Sequence, residues 1–420
     1  MDRLVRAGGQ GIRVRRLGAN RAGEIRLTRF LRNRKVCPDP MVESAAARLA
    51  ERCQDREVLA IQDTTVVASS GGGGLYLHVC AAVDAEDGAL LGLAHGQFLK
   101  REDGRKEKRR DLPIEDKESH RWLEGANDAA RVCARARAIT LISDRESDIY
   151  VAFARRPANA HMIVRAAQDR SLDDGARLFA AMDGAPEAGR TRLALPARPG
   201  RPAREATLAV RFCAVTLKKP GNGIDKGLPP TLDLHWVDIR EVDPPAGEKV
   251  HWRLLTTLPV TDLAAASRIA ALYRRRWAIE QLFRTLKTQG FDIEGLRVAD
   301  DVPRRNLVMA ALVAAVSVQQ LVHARDGADP HGRFRPIADA FEDDDIPLIE
   351  ALCAKLQGKT QRQKNPHPKR TLAYATWVCA RLGGWTGYYG KPGPVVMLQG
   401  WLQFQAAKRG VDAIKDHQDV

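Results

Sequence analysis

The chain has 420 residues, of which 44% are hydrophobic, so a wholly disordered protein is excluded. The 67 Lys and Arg outnumber the 52 Asp and Glu to give a net charge of +15, which favours polyanions such as nucleic acids as partners. The seven cysteines are scattered without a CxxC pair; a structural zinc site is therefore not expected, and a reducing cytosol fits best.

The first part of the chain predicts helices followed by strands. Residues 1–22 are rich in Arg and Gly and predict a loose basic arm, whereas residues 23–56 carry helical patterns. Alternating or apolar runs then predict strands at 57–63, 75–83, 89–99, 139–144 and 161–165. A glycine turn at 71–74, a charged loop at 100–110 and a helix at 124–136 separate them. Three meandering strands followed by alternating helices and strands predict an α/β core.

The predicted secondary structure changes twice in the second part of the chain. Between residues 173 and 243, strands at 207–215 and 232–239 alternate with Pro- and Gly-rich loops, which predicts a β-rich insertion. Helices are predicted from residue 264 onward. The longest apolar run, 307–318, is too short to span a bilayer and predicts a buried helix. The acidic run 342–345 and the basic stretch 359–370 are interpreted as solvated loops.

Two aspartates end predicted strands. Asp63 and Asp144 each follow an apolar run, and the carboxyl edge of an open sheet is where ligands bind. Turn formation is the alternative for either residue taken alone. The neighbouring Glu146 and Asp148 compete with Asp144, but they are expected to cap the helix that follows.

The segment 273–287 predicts an amphipathic helix with an unusual charged face. Taken as one helix, it places on one side an aromatic ring, cations and a lone acid: Tyr273, Arg276, Glu280, Arg284 and Lys287. An adjacent stripe is apolar and predicted to pack: Leu272, Ile279, Phe283 and Leu286. Three converging carboxylates, Asp63, Asp144 and Glu280, could hold two Mg²⁺ ions about 3.5–4 Å apart for in-line phosphodiester transfer.

The spacing Tyr-x2-Arg-x3-Glu-x6-Lys within this segment resembles the signature of insertion-sequence family four, the transposon-five-like DDE transposases. Further blocks in the same order are similar to that family: residues 61–65, 117–124, 143–149, 252–260 and 382–385. The resemblance covers roughly residues 23 to 410.

This resemblance implies an α/β protein with a ribonuclease-H-like catalytic core, a β-rich insertion and helical N- and C-terminal regions. It implies a cut-and-paste transposase in which Asp63, Asp144 and Glu280 bind two Mg²⁺ ions, with Mn²⁺ able to substitute. The implied reactions are hydrolysis, hairpin formation and strand transfer. The implied partners are double-stranded DNA at the terminal inverted repeats, target DNA and a second copy of the chain, in the bacterial cytoplasm at the nucleoid and without a membrane.

The resemblance also assigns DNA contacts. Trp252 is expected to hold a flipped base, for which core packing is the alternative, whereas Trp277 is expected to pack in the core. The remaining expected contacts to DNA are Tyr273, Arg276, Arg284, Lys287, Arg145, Arg165 and Arg29.

The expected domains are a partial DNA-binding region at 1–56, core at 57–170 and 251–325, an insertion at 171–250 and a helical dimerisation region at 326–420. Only residues 23–36 of the family's N-terminal domain are recognisable. An alternative function is therefore an N-terminally truncated inhibitor that forms mixed dimers. A third is a metal-dependent nuclease without strand transfer.

Overall fold

The computed structural model describes residues 12–18, 20–70, 73–102, 113–195, 202–221, 227–245, 249–298 and 300–418. The strands are β1 (Glu57–Ser70), β2 (Gly73–Asp84), β3 (Leu90–Glu102), β4 (Ala138–Ser143), β5 (His161–Arg165), β6 (Gly189–Leu195), β7 (Arg204–Lys218), β8 (Thr231–Glu241) and β9 (His251–Thr256). They form one nine-stranded mixed sheet in the order β3-β2-β1-β4-β5-β9-β8-β7-β6.

The helices surround this sheet. They are α1 (Val14–Leu17), α2 (Arg21–Arg32), α3 (Pro38–Arg52), α4 (Arg121–Val132), α5 (Tyr150–Ala154), α6 (Leu178–Gly184), α7 (Leu263–Arg274), α8 (Trp277–Lys287), α9 (Asp301–Ala324), α10 (Ile346–Leu356), α11 (Leu372–Leu382) and α12 (Pro394–Gln418). Side-chain oxygens of Asn20, Asp262 and Thr371 cap α2, α7 and α11 by accepting backbone N–H groups that the first turn leaves without partners.

Hydrophobic cores cover both faces of the sheet. Side chains alternate along a strand, and in β1 Leu59 and Ile61 belong to one core, whereas Val58 and Ala60 belong to the other. The first core includes α7, α8, α9 and the C-terminal helices, and the second includes α4 and α5. Both faces are therefore covered by helices around the parallel strands β1, β4 and β5.

The strands predicted for the insertion extend the same sheet. β9 pairs antiparallel with β5 and with β8, and β7 and β6 follow outward. The sheet therefore connects the core strands to residues 171–250 through continuous backbone pairing.

The apolar run 307–318 lies inside α9, as predicted for a buried helix. Within the described ranges, α9 is the one helix long and apolar enough to cross a membrane, and most of its apolar stretch is buried inside the protein. Burial of this kind is what a core helix shows, because its apolar residues pack against the sheet and the C-terminal helices.

Three local predictions were wrong in part. Residues 14–17 of the predicted arm form α1, and the Ile12 N–H donates to the Phe291 carbonyl at 2.9 Å, which ties this segment to the core; residues 1–11 lie outside the described residues. The helix predicted at 124–136 runs from Arg121 to Val132, because residues after Cys133 turn towards β4. In the acidic run, residues 342–344 are exposed as predicted, but Asp343–Asp345 form a 3-10 turn and Asp345 is buried, with its Oδ1 2.6 Å from Lys408 Nζ. Most of the loop predicted at 100–110 lies outside the described residues.

Candidate active site

The register of the parallel strands places Asp63 and Asp144 at the same level of the sheet. The last parallel pair between β1 and β4 is Ile61 with Ile142, and each aspartate comes two residues later in the chain. Because side chains alternate, both aspartates point to the face of Ile61 and Ile142, which is the face that α8 covers.

The position of Asp63 within its strand differs from the prediction. β1 continues to Ser70, and Asp63 pairs with Val79 of β2 in the middle of a long hairpin. The predicted strand end is instead the end of pairing with β4, which stops while pairing with β2 continues. Asp144 directly follows β4, as predicted.

The segment 273–287 is two helices rather than one. α7 ends at Arg274 and α8 begins at Trp277, with Arg275 and Arg276 as a turn between them. The N–H groups of Arg275 and Arg276 donate three residues back, to Leu272 and Tyr273, at 3.0 and 2.9 Å. This tighter 3-10 bonding breaks the predicted continuous helical face. The predicted apolar stripe is confirmed, since Leu272, Ile279, Phe283 and Leu286 are all buried.

Arg276 joins two of the three carboxylates. Its Nη1 donates to Asp63 Oδ2 at 3.2 Å, and its Nη2 donates to Glu280 Oε1. Tyr273 donates its hydroxyl to Asp144 Oδ1 at 3.3 Å. Tyr273 at the end of α7 and Arg276 in the turn that follows therefore contact all three acids, although these acids lie on β1, after β4 and on α8.

The electrostatics agree with this convergence. Burial raises the pKa of the Asp63 carboxyl; the Thr64 N–H and Arg276 act in the opposite direction, and the charges of Asp144 and Glu280 raise it again. Burial and the negative charge of Asp144 raise the pKa of Tyr273 to about 12. Although burial alone would lower the pKa of Arg276, its acidic neighbours raise it, so this guanidinium stays charged.

The donor chemistry of the three acids fits a divalent cation. Carboxylate oxygens are the ligands that Mg²⁺ and Mn²⁺ prefer, and Asp63 and Glu280 remain partly exposed. As the side chains stand, no group of three or more His, Cys, Asp or Glu among the described residues is spaced to hold a metal ion. The guanidinium of Arg276 lies between two of the acids and carries the compensating positive charge.

Arg165 lies beside Asp144, and Trp252 lies beside the tyrosine that binds Asp144. The half-buried ring of Trp252 meets the Tyr273 ring edge-on, with centroids 5.7 Å apart. Arg165 lies 3.9 Å from Asp144 and donates to the His251 carbonyl at 3.1 Å. Of the predicted DNA contacts, Tyr273, Arg276 and Arg165 thus lie against the carboxylates, and Trp252 lies against Tyr273.

The remaining predicted DNA contacts lie in the turn after Asp144, on α8 and on α2. Lys287 pairs with Glu294 at 3.1 Å, and Arg145 is exposed in the 3-10 turn after Asp144. Arg29 is exposed on α2. Arg284 is exposed, and its guanidinium lies 5.9 Å from the ring centroid of Trp277.

Core packing was the wrong prediction for Trp277. It is 40% exposed at the first position of α8.

Helix capping was also the wrong prediction for Asp148 and Glu146. Asp148 is fully buried and binds Arg170 at 2.6 Å and the N–H groups of Ala167 and Gln168. Glu146 pairs with Arg121 at 2.8 Å. The N-cap of α5 is Ile149, and neither acid bonds to its first turn.

Sequence reasoning missed Arg275. Its guanidinium donates to the carbonyls of Glu86 and Asp87 in the turn between β2 and β3, at 3.0 and 3.1 Å. Gly88 has a φ of 82°, and a Cβ there would lie 2.5 Å from Arg275 Nη1, so this turn needs glycine. The adjacent arginines thus point to different partners, Arg275 to the hairpin turn and Arg276 to the acids.

A family model described as transposase DDE domain matches residues 101–316, more than half of the chain. The match includes Asp144, Tyr273, Arg276 and Glu280, and it begins after Asp63. The chain therefore belongs to the transposase DDE domain family.

Proposed function

We propose that this protein is a cut-and-paste transposase that cuts and joins DNA at the ends of a mobile element by in-line phosphodiester transfer. Asp63, Asp144 and Glu280 are its catalytic acids. The observation that carries this proposal is the contact of Arg276 with both Asp63 and Glu280, beside the Tyr273–Asp144 hydrogen bond. Membership of the DDE transposase family supports the same reaction class.

The three carboxylates are the groups that would hold two divalent ions, with Mg²⁺ as the expected metal and Mn²⁺ as a substitute. When bound, such ions activate the attacking oxygen and stabilise the leaving oxygen. Arg276 holds Asp63 and Glu280 together and offsets their repulsion, while the Tyr273 hydroxyl orients Asp144. The protein thereby supplies anionic oxygens from three separate elements at one place.

DNA binding at this place is supported by the surrounding side chains. Trp252 offers an aromatic face for a base removed from the stack during hairpin formation. Arg165, Arg145, Arg284 and Lys287 supply cations for phosphates, and Arg29 extends the basic surface to α2. The net charge of +15 favours the same partner.

The proposed partners are double-stranded DNA at the element's terminal inverted repeats, target DNA and a second copy of this chain. The proposed location is the bacterial cytoplasm, at the nucleoid.

The test uses a DNA fragment carrying the inverted repeats that flank the gene, with Mg²⁺ or Mn²⁺. Purified wild-type protein is expected to nick the fragment, and the isosteric Asp144→Asn variant is expected to lose nicking, because an amide binds a divalent cation poorly. Glu187→Gln is the matched control: this acid pairs with Arg190 in the insertion and is expected to leave nicking unchanged. Nicking at the wild-type rate by Asp144→Asn would refute the assigned acids.

The same fragment separates the other two functions. In a gel-shift assay, tight and specific binding of the repeats by this chain would exclude the mixed-dimer inhibitor. Nicking without joining of pre-cut ends to target DNA would favour the nuclease.

A further inference from the structure

Arg121 contacts both the segment that contains Asp63 and the segment that contains Asp144, on the face of the sheet opposite their carboxylates. It is the first residue of α4, lies in the 117–124 block and is only 5% exposed. Its Nε donates to Thr64 Oγ1 at 3.3 Å, and its Nη2 donates to Glu146 Oε2 at 2.8 Å. We infer that Arg121 is a positioning residue that sets the spacing of Asp63 and Asp144, an inference that rests on the proposed function.

Arg121 acts through the neighbours of the aspartates rather than on the carboxylates. Thr64 follows Asp63 on β1, so its side chain points to the opposite face, where α4 lies. The Thr64 backbone N–H in turn donates to Asp63 Oδ1 at 2.8 Å. A shift of Thr64 therefore moves a direct hydrogen-bond donor of the Asp63 carboxylate.

The hydrogen bonds of the Thr64 side chain are fixed by their partners. His78 Nε2 lies 3.2 Å from Gln62 Oε1, an oxygen that only accepts, so this nitrogen carries the proton. His78 Nδ1 then accepts from the Thr64 hydroxyl at 2.9 Å. The remaining lone pairs of that hydroxyl oxygen accept from Arg121 Nε. Arg121 is thus held to Thr64 in one arrangement.

The second contact reaches the Asp144 segment. Glu146 lies in the 3-10 turn that begins directly after Asp144, and Ser147 Oγ donates to the Asp144 carbonyl at 2.9 Å in the same turn. A buried guanidinium needs paired acids, and Arg121 has Glu118 at 3.2 Å as well as Glu146. Its ion pairs therefore fix this turn relative to α4.

A link is needed at this level because strand pairing has ended. The last backbone pair between β1 and β4 is Ile61 with Ile142, whereas both aspartates lie beyond it. Arg121 spans β1 and the turn after β4 at the level of the aspartates, from the face opposite the carboxylates. Its role is to hold the two strand extensions at a fixed separation.

The test measures Mn²⁺ binding by the full chain, using electron paramagnetic resonance of free Mn²⁺, with thermal unfolding recorded in parallel. Arg121→Gln is expected to weaken Mn²⁺ binding about tenfold, the effect of losing an outer partner of metal ligands. Arg121→Lys keeps the charge, but a single ammonium group cannot bind Thr64 and Glu146 at the same time as the planar guanidinium does. An intermediate loss of Mn²⁺ affinity is therefore expected. Arg131→Gln, an exposed arginine on the same helix, is the matched control and is expected to bind Mn²⁺ as wild type.

A purely structural role would lower the unfolding temperature without changing Mn²⁺ affinity. Folded Arg121→Gln protein with wild-type Mn²⁺ affinity would therefore overturn the inference. If that variant does not fold, Glu146→Gln replaces it, because the Glu146 side chain is 65% exposed; unchanged Mn²⁺ affinity in this variant would overturn the inference equally. Mn²⁺ binding that survives Asp63→Asn would instead refute the assigned acids of the proposed function.

Discussion

Arg276 Nη1 lies 3.2 Å from Asp63 Oδ2, although 213 positions separate the two residues. The same guanidinium donates to Glu280, four residues later on α8. A guanidinium is planar and presents its donors at a fixed separation, so it sets the spacing of two carboxylates as well as offsetting their charge. The compact ammonium of lysine supplies the same charge but not two donors at a fixed separation.

This difference predicts that Arg276→Lys lowers the single-turnover rate of nicking on the order of 100-fold, the usual effect of removing an oriented donor from an active site. The rate is measured on the inverted-repeat fragment with saturating protein. Arg274, two residues earlier in the chain, provides the control; its Nη2 donates to the Ala194 carbonyl at 3.3 Å. Arg274→Lys is expected to keep the wild-type rate, and equal rates in both variants would contradict the role given to the guanidinium.

His78 predicts a pH dependence of stability. Burial lowers the pKa of this histidine well below its usual value, as do the nearby His95 and Arg121. In the unfolded chain this histidine has a pKa of about 6.5 and binds a proton below that pH. In the folded chain it stays neutral at the same pH. This contribution to stability is therefore complete above about pH 6.5 and is lost as the pH falls, by up to about 1.4 kcal/mol per pH unit.

The measurement is urea unfolding between about pH 5 and pH 8, where the unfolded histidine titrates. Wild-type protein is expected to lose free energy of unfolding steadily towards the acid end, and His78→Gln is expected to lose less while being less stable at neutral pH. The exposed His161 is the control, since His161→Gln is expected to keep the wild-type slope. A wild-type slope in His78→Gln would show that the buried imidazole is not the source.

The residues that sequence patterns placed well are those governed by short-range periodicity. Asp144 follows β4, and the apolar stripe of α7 and α8 is buried, because alternation along strands and helical spacing depend on residues close together in the chain. Which strands pair, and over what length, depends on residues far apart in the chain. The sequence around Asp63 looks the same whether β1 ends there or only its pairing with β4 ends, and the second is what the structure shows.

The break between α7 and α8 was unpredictable for a similar reason. Neither Arg275 nor Arg276 is a Gly or Pro, and both keep right-handed helical angles, so no breaker marks the turn. The turn is fixed instead by distant groups, the carbonyls of Glu86 and Asp87 on one side and Asp63 on the other.

Trp252 predicts a step-specific defect. Its half-buried ring lies edge-on to the Tyr273 ring, with the ring centroids 5.7 Å apart, and the Tyr273 hydroxyl donates to Asp144. An aromatic face therefore lies next to a residue that binds one of the three proposed catalytic acids. Stacking of one base on an aromatic side chain is worth about 1–3 kcal/mol, and hairpin formation needs a base out of the stack. Trp252→Ala is therefore expected to nick the inverted-repeat fragment but to form little hairpin, whereas Trp252→Phe is expected to retain most of the hairpin formation.

A denaturing gel resolves nicked and hairpin products from one reaction, so the first step serves as an internal control for folding and metal binding. A wild-type ratio of hairpin to nick in Trp252→Ala would assign this ring to packing, because truncation would then have removed only its contacts with Tyr273.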